Sequence, residues 1–181
     1  MRPAPALPPP PGVDACSAVL AYDGPARELV ARLKYRNHRS ALGGLAAAMA
    51  ATVVDLPDVV TWVPTTPARR RQRGFDHAEL LARAVARHLR RPCRALLGRG
   101  PGPPQTGRPL AERRAGPVLV ARGPVAGRVL VVDDVVTSGA TCAAAARALR
   151  RAGASAIDVV AAARTPPLSQ RRVPAQGNHS P

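Results

Sequence analysis

Residues 129–141 read VLVVDDVVTSGAT, and this stretch decides the fold. Its branched apolar residues predict a buried β-strand over Val129–Asp133, and the acids Asp133 and Asp134 come where that strand ends. A small, hydroxylated turn follows and opens a helix. Because ligands of open α/β sheets bind at the carboxyl ends of the strands, we expect a binding site at this point of the chain.

The turn after the two acids has the composition of a phosphate-binding loop. It offers backbone N–H groups, three hydroxyls and a helix N-terminus, all suited to a phosphate dianion. A helix cap alone would explain one hydroxyl, but two adjacent acids before such a turn contribute little to stability. We therefore interpret the turn as a ligand site, and its members are Thr137, Ser138, Gly139, Ala140 and Thr141.

The segments around this stretch alternate between strands and helices. The predicted strands are Val59–Val63, Val118–Ala121 and Ile157–Ala163, and the predicted helices are one from Pro25, Gly43–Val54, His77–Arg90 and Thr141–Arg151. Apolar strands that alternate with helices predict the α/β class, a central parallel sheet flanked by helices. Residues 98–117, rich in Gly and Pro, predict a long loop.

The length of 181 residues predicts a single domain. Its 21 prolines concentrate near the ends, so we expect a Pro-rich, unpacked tail at 1–14, a domain at 15–165 and a flexible C-terminal tail at 166–181. The longest apolar stretch is about 14 residues, too short to cross a membrane. Without a signal-like segment either, the sequence predicts a cytoplasmic protein.

Charge is the strongest signal in the composition. The chain has 27 basic and 11 acidic residues, a net charge of +16, which favours polyanionic ligands such as nucleic acid or phosphorylated metabolites. Aromatic residues make up only 2%, which argues against base-stacking modules. The three cysteines lie far apart, so we expect free structural thiols, not a zinc site.

Residues 129–141 resemble, at every position, the 5-phosphoribosyl-1-pyrophosphate (PRPP) signature of the type I phosphoribosyltransferases. Four further blocks are similar to ComF-type proteins, the competence protein F family, and the resemblance spans about residues 17–164. It implies a type I phosphoribosyltransferase-like fold. The blocks are RELVARLKYRNHRSA (27–41), VPTTPARRRQRGFDHAELLA (63–82), QTGRPLAERR (105–114) and AAAR (161–164).

This resemblance implies a role for each part of the site. Asp133 and Asp134 would be catalytic, holding the ribose hydroxyls and, directly or indirectly, Mg²⁺. The turn of residues 137–141 would hold the 5-phosphate. Arg69 and Arg73, in the arginine-rich loop after the strand that begins at Val59, would bind pyrophosphate, whose charge grows as its bond to ribose breaks.

Three departures from the family pattern bear on function. ComF-type proteins commonly begin with a Cys-rich zinc ribbon, which this sequence lacks through loss or through a truncated start. Their usual Asn-Gln pair is replaced by Asp76-His77, and we expect His77 to be a surface residue at the start of a helix. Thr137 stands where purine-salvage members commonly carry an Asp, which argues against a hypoxanthine or guanine transferase.

Two functional hypotheses follow from these residues. In the first, the protein is a Mg²⁺-dependent phosphoribosyltransferase in which an unidentified acceptor displaces pyrophosphate from PRPP. In the second, it is a non-catalytic accessory factor for DNA uptake whose basic surface binds single-stranded DNA or a DNA-processing partner. Residues 69–94, with 9 basic and 2 acidic residues, fit either a pyrophosphate site or a nucleic-acid surface.

Overall fold

The computed structural model describes residues 1–33, 39–68, 71, 76–100 and 116–166. Along the chain its elements are β1 (Ala15–Ala21), α1 (Gly24–Leu33), α2 (Arg39–Ala51), β2 (Val59–Trp62), α3 (His77–Leu89), β3 (Leu97–Arg99), β4 (Leu119–Ala121), β5 (Arg128–Val136), α4 (Ala140–Arg151) and β6 (Ala156–Arg164).

Four strands form a parallel sheet in the order β1-β6-β5-β2. The central strands are largely apolar on both faces: β5 is buried from Val129 to Val132, and β6 is buried from Ile157 to its end and includes the charged residues Asp158 and Arg164. Such continuous apolar strands are typical of parallel sheets covered on both sides. The predicted parallel sheet flanked by helices is therefore confirmed.

Each face of the sheet has its own hydrophobic core. Helices α1, α2 and α3 cover one face, where Met49 and Val85 pack against Leu130 of β5. Helix α4 and the short antiparallel pair β3–β4 cover the other face, where Leu149 packs against Val131. Because side chains alternate along a strand, the two cores receive alternate residues of β5.

Strand β1 was absent from the predicted elements. It lies at the edge of the four-stranded sheet, where β6 is its neighbouring strand, and within it only Ala21 is buried. Its sequence, ACSAVLA, mixes small and polar residues and gives a weak strand signal. The predicted loop at 98–117 is wrong at its start, because Leu97–Arg99 pairs with β4; residues 101–115 lie outside the described residues.

The N-terminal segment contacts the sheet, so its description as an unpacked tail is wrong. Pro3 forms an antiparallel bridge with Leu20 of β1, and Val13 is buried in the α4-side core. Between them, the buried Arg164 donates hydrogen bonds to the carbonyl oxygens of Leu7 and Pro8. The domain boundary at residue 15 stays a prediction, and residues 167–181 of the expected C-terminal tail lie outside the described residues.

The remaining predictions concern thiols and membranes. Cys16, Cys93 and Cys142 are free, as expected. Among the helices described, none has the length and apolar character needed to span a bilayer.

Candidate functional site

The two acids lie inside β5, close to its carboxyl end, instead of after it. The strand continues to Val136, and Asp133 is paired in register with Ala161 of β6. Both carboxylates are partly exposed. Because neighbouring strand residues point to opposite faces, Asp133 lies on the α4 side and Asp134 on the side of α1, α2 and α3.

Asp134 is held by a histidine that the sequence analysis assigned to the surface. His77 Nε2 lies 3.0 Å from Asp134 Oδ2, and the two side chains are only 14% and 20% exposed. An ionised carboxylate only accepts hydrogen bonds, so Nε2 carries the proton. The expectation of a surface residue is thus wrong.

Asp76 explains how His77 reaches the acid. It is the buried N-cap of α3: its Oδ1 accepts from Ala78 N at 3.1 Å and its Oδ2 from Thr65 N at 2.9 Å. One carboxylate therefore fixes the start of α3 to the segment that follows β2. His77, the first residue of the helix, is directed toward β5 as a result.

Asp133 lies among different neighbours. Its Oδ1 accepts the backbone N–H of Asp134 at 2.8 Å. On the α4 side, burial raises the pKa of the Cys16 and Cys142 thiols, Arg164 opposes that rise, and the charge of Asp133 adds to it. Both thiols stay protonated, which gives them a packing role beside the acid.

The turn of residues 137–141 joins β5 to α4. Thr137 and Ser138 are exposed, and Gly139 is the N-cap of α4 with a φ of +75°. Gly139 has no side chain to cap the helix, and Ser138 Oγ accepts from Ala140 N at a long 3.4 Å. The helix N-terminus thus retains donors of the kind that bind anions.

Gly139 is required at its position for two reasons. The left-handed backbone favours glycine, and a Cβ atom built there would lie 2.7 Å from Pro10 Cγ. The N-terminal segment therefore lies against the turn.

A cleft of about 790 Å³ opens at the same edge of the sheet. Its wall is formed by residues that follow three strands: Tyr22 after β1, Thr137 after β5 and Thr165 after β6. Arg2, Asp23 and Arg27 also line it: Arg2 is paired with Asp23, and the Arg27 guanidinium, which gives the lining a net positive charge, lies 5.5 Å from the centre of the Tyr22 ring. Tyr22, Arg27 and Arg2 are absent from the predicted site residues, because only the strand order brings them beside Thr137.

The structure does not describe every predicted site residue. It places Asp133, Asp134 and Thr137 to Thr141 at one edge of the sheet, whereas Arg69 and Arg73 lie outside the described residues. Within the described part of the chain, no group of three or more His, Cys, Asp or Glu residues is placed to hold a metal ion. Either carboxylate fits Mg²⁺, which proteins often bind through one or two carboxylates together with substrate phosphates.

The chain is similar to proteins named DNA utilization protein YhgH. The protein of that name from Escherichia coli strain K12 is 30% identical over 160 residues, which cover 81% of this chain and 70% of that protein. The Shigella flexneri protein is 29% identical with the same coverage. No protein-family model matches the chain.

The fold has a counterpart among solved structures. The glutamine PRPP amidotransferase from B. subtilis, complexed with ADP and GMP, is 26% identical with a TM-score of 0.50. The match covers 73% of this chain and 30% of that longer chain. It confirms the predicted fold class, a central parallel sheet flanked by helices of the type I phosphoribosyltransferase kind.

Proposed function

The chain belongs to the family of the DNA utilization protein YhgH, and we propose that it is a PRPP-binding phosphoribosyltransferase of the ComF type. In the proposed reaction, a pentosyl transfer, an unidentified acceptor displaces pyrophosphate from PRPP. One observation carries the proposal. Asp133 and Asp134 lie near the carboxyl end of β5, just before a turn whose helix N-terminus retains backbone donors.

Each part of the site has a proposed role. The carboxylates of Asp133 and Asp134 accept hydrogen bonds from the 2- and 3-hydroxyls of the ribose. The backbone N–H groups of residues 137–141, with the hydroxyls of Thr137, Ser138 and Thr141, hold the 5-phosphate. Arg69 and Arg73 bind pyrophosphate, which stays a prediction from the sequence.

The chemistry demands positioning and charge stabilisation more than covalent catalysis. As pyrophosphate leaves, the anomeric carbon gains oxocarbenium character, and the carboxylates beside the ribose stabilise that positive charge. The acceptor enters from the cleft lined by Thr137 and Tyr22, on the same edge of the sheet. Holding both reactants there removes much of the entropic cost of their encounter.

Asp133 and Asp134 are the residues that would hold Mg²⁺, directly or through water. When bound, the ion would neutralise charge on the pyrophosphate.

The proposal is tested by the response of the fold to Mg²⁺-PRPP. At about 100 times its dissociation constant the ligand should stabilise the native state by about 2.7 kcal/mol, a rise in Tm of roughly 5 to 10 °C. In Asp133→Asn/Asp134→Asn the fold should remain and this rise should disappear, because the charge that organises ribose and metal is gone. Differential scanning calorimetry measures both quantities.

A control variant with the same change in net charge separates the effect of the two site acids from the effect of the overall charge of the protein. Glu28→Gln/Asp55→Asn also removes two carboxylates. Their side chains are 74% and 63% exposed, and neither residue belongs to the proposed site. It should keep the full ligand-induced rise in Tm. No rise in the unmodified protein at millimolar PRPP would refute the assignment of the ligand.

A second candidate function is that of an accessory factor in DNA handling. Arg87 and Arg90 are exposed about one helical turn apart on and just after α3, and the exposed Arg94 follows; Arg83, one turn earlier, is paired with Glu79. Such a row of cations suits a phosphate backbone. The name of the relatives, DNA utilization protein, favours this biological setting for the chain.

DNA binding and PRPP binding should differ in their dependence on salt and in their response to substitution of Asp133 and Asp134. We expect weak, sequence-independent binding of single-stranded DNA that falls steeply with salt, since stacking aromatics are few. In Asp133→Asn/Asp134→Asn this binding should persist or rise slightly, because the net charge becomes more positive by two. Fluorescence anisotropy at several salt concentrations measures it. Two results would contradict the separation of the two surfaces. One is tight DNA binding that persists at about 0.5 M salt. The other is loss of DNA binding together with PRPP binding in the folded double variant.

A further inference from the structure

His77 and Asp134 form a contact that the proposed reaction does not use. They are separated by 57 residues in sequence, yet Nε2 and Oδ2 lie 3.0 Å apart. A cavity of only about 10 Å³ adjoins them, lined also by Val30, Leu42 and Leu81. Hydrogen bonds in such apolar surroundings are stronger than those exposed to water.

Several contacts hold the imidazole of His77 in place. Asp76 fixes the start of α3 through the hydrogen bonds to Ala78 N and Thr65 N described above. His77 Nδ1 is buried and has no hydrogen-bond partner among the described residues, so the hydrogen bond of the ring that the structure shows is the one to Asp134. The hydrogen bonds that the structure describes around His77 thus place the ring against the acid.

We propose that His77 is a positioning residue that fixes the carboxylate of Asp134 for recognition of the ribose 2,3-diol. This inference rests on the proposed function and deepens it. A carboxylate accepts two hydroxyls only in a defined orientation, and the hydrogen bond from Nε2 selects that orientation before the ligand arrives. The N-terminus of α3, which begins at His77, lies beside the same carboxylate.

The test compares sugar phosphates that differ in one hydroxyl. Calorimetric titration of the full chain with Mg²⁺ gives dissociation constants for PRPP, ribose 5-phosphate and 2-deoxyribose 5-phosphate. In His77→Leu we expect affinity for PRPP and ribose 5-phosphate to fall about tenfold, the effect of one hydrogen bond to a charged group. Affinity for 2-deoxyribose 5-phosphate should change little, so discrimination between the two pentose phosphates should be lost.

Three further variants make the result specific. His77→Gln keeps a neutral donor and should retain affinity for ribose 5-phosphate within about threefold. His77→Asn, whose shorter amide falls short of Asp134, should behave like His77→Leu and replaces it if the leucine variant does not fold. His88→Leu makes the same change at an exposed position on α3 and should leave all constants unchanged.

Each outcome bears on the inference. The inference is overturned if a folded His77→Leu still discriminates ribose 5-phosphate from 2-deoxyribose 5-phosphate, or if His77→Gln binds as weakly as His77→Leu. In either case, PRPP binding by the unmodified protein leaves the proposed function intact. If the unmodified protein binds none of the three ligands, the proposed function is refuted, and the inference with it.

Discussion

The two ends of the parallel sheet use charged residues differently. At the amino end opposite charges are paired: Arg128 Nη1 lies 2.8 Å from Asp158 Oδ2 and 3.4 Å from Asp55 Oδ2. At the carboxyl end two like charges, Asp133 and Asp134, are adjacent in one strand. The amino end therefore pairs its acids with a strand arginine, whereas the carboxyl end places two acids side by side just before the turn of residues 137–141, an arrangement typical of ligand sites.

The largest effects should come from two matched glycines, one at each end of β5. Gly127 and Gly139 have φ of +76° and +75°, and a Cβ built there would lie 2.2 Å from Asp58 Oδ2 and 2.7 Å from Pro10 Cγ, respectively. Alanine at either position should lower the free energy of unfolding by about 2–5 kcal/mol, because the cost of left-handed backbone and the cost of close contact add. Urea denaturation measures this cost.

The two variants should differ in ligand binding. Gly139→Ala distorts the proposed phosphate turn and should weaken PRPP at least tenfold, whereas Gly127→Ala should leave the affinity of the folded protein unchanged. Calorimetric titration below the unfolding transition checks this. Equal losses in both variants would mean that the two ends are coupled and that the contrast between them is wrong.

An intermediate effect should come from changing one acid at each end to asparagine. Asp158 is buried and accepts from Arg128, so Asp158→Asn should lower the free energy of unfolding by about 1–3 kcal/mol. Asp133 is partly exposed and Asp133→Asn keeps the acceptor for Asp134 N, so its cost should be smaller than that of Asp158→Asn.

Chemical denaturation of both single variants measures the difference. Should Asp133→Asn prove as destabilising as Asp158→Asn, the carboxyl-end acid would be part of the structural framework, and its proposed role with ribose would lose support.

The smallest effect concerns an opposite-charge pair at the carboxyl end. A hydrogen bond from Arg2 Nε, at 2.9 Å, lowers the pKa of Asp23 below 3.8. A depressed folded pKa contributes stability that is present above the unfolded pKa and is lost as the pH falls through the folded value. Arg2→Ala should therefore lower Tm at pH 7 by no more than about 2 °C, since the pair is exposed.

The pH dependence identifies the cause of that loss. The difference in Tm between Arg2→Ala and the unmodified protein should shrink as the pH falls below 3.8, where Asp23 becomes protonated. A thermal scan series from pH 7 to about pH 2 tests the sign. A difference that grows toward acid would show that Arg2 acts through another contact.

Local sequence predicted most of the sheet and helices. The apolar run of β5, the glycine turn and the start of α4 are adjacent in the chain, so their pattern contains the information that places them. Strand β1 escaped prediction because an edge strand of small residues is stabilised mainly by pairing with β6, which a local window does not show.

The position of the N-terminal segment also depends on contacts that a local sequence window does not show. Its prolines correctly indicate the absence of a helix or an extended sheet strand of its own. Its docking depends on Arg164, more than 150 residues away, whose guanidinium meets the carbonyl oxygens of Leu7 and Pro8. Composition alone therefore predicted a tail where the structure has a segment that lies against the turn at Gly139.

The sequence by itself determined the α/β class, the parallel sheet and the chemical character of the site, because these depend on residues close together in the chain. Tertiary structure alone decided which side chains face the acids. The parallel order of β1, β6 and β5 brings Tyr22, Thr165 and Thr137 to one cleft. The capping of α3 by Asp76 directs His77 onto Asp134 across 57 residues. Such contacts arise from packing between elements distant in sequence, for which no local pattern exists.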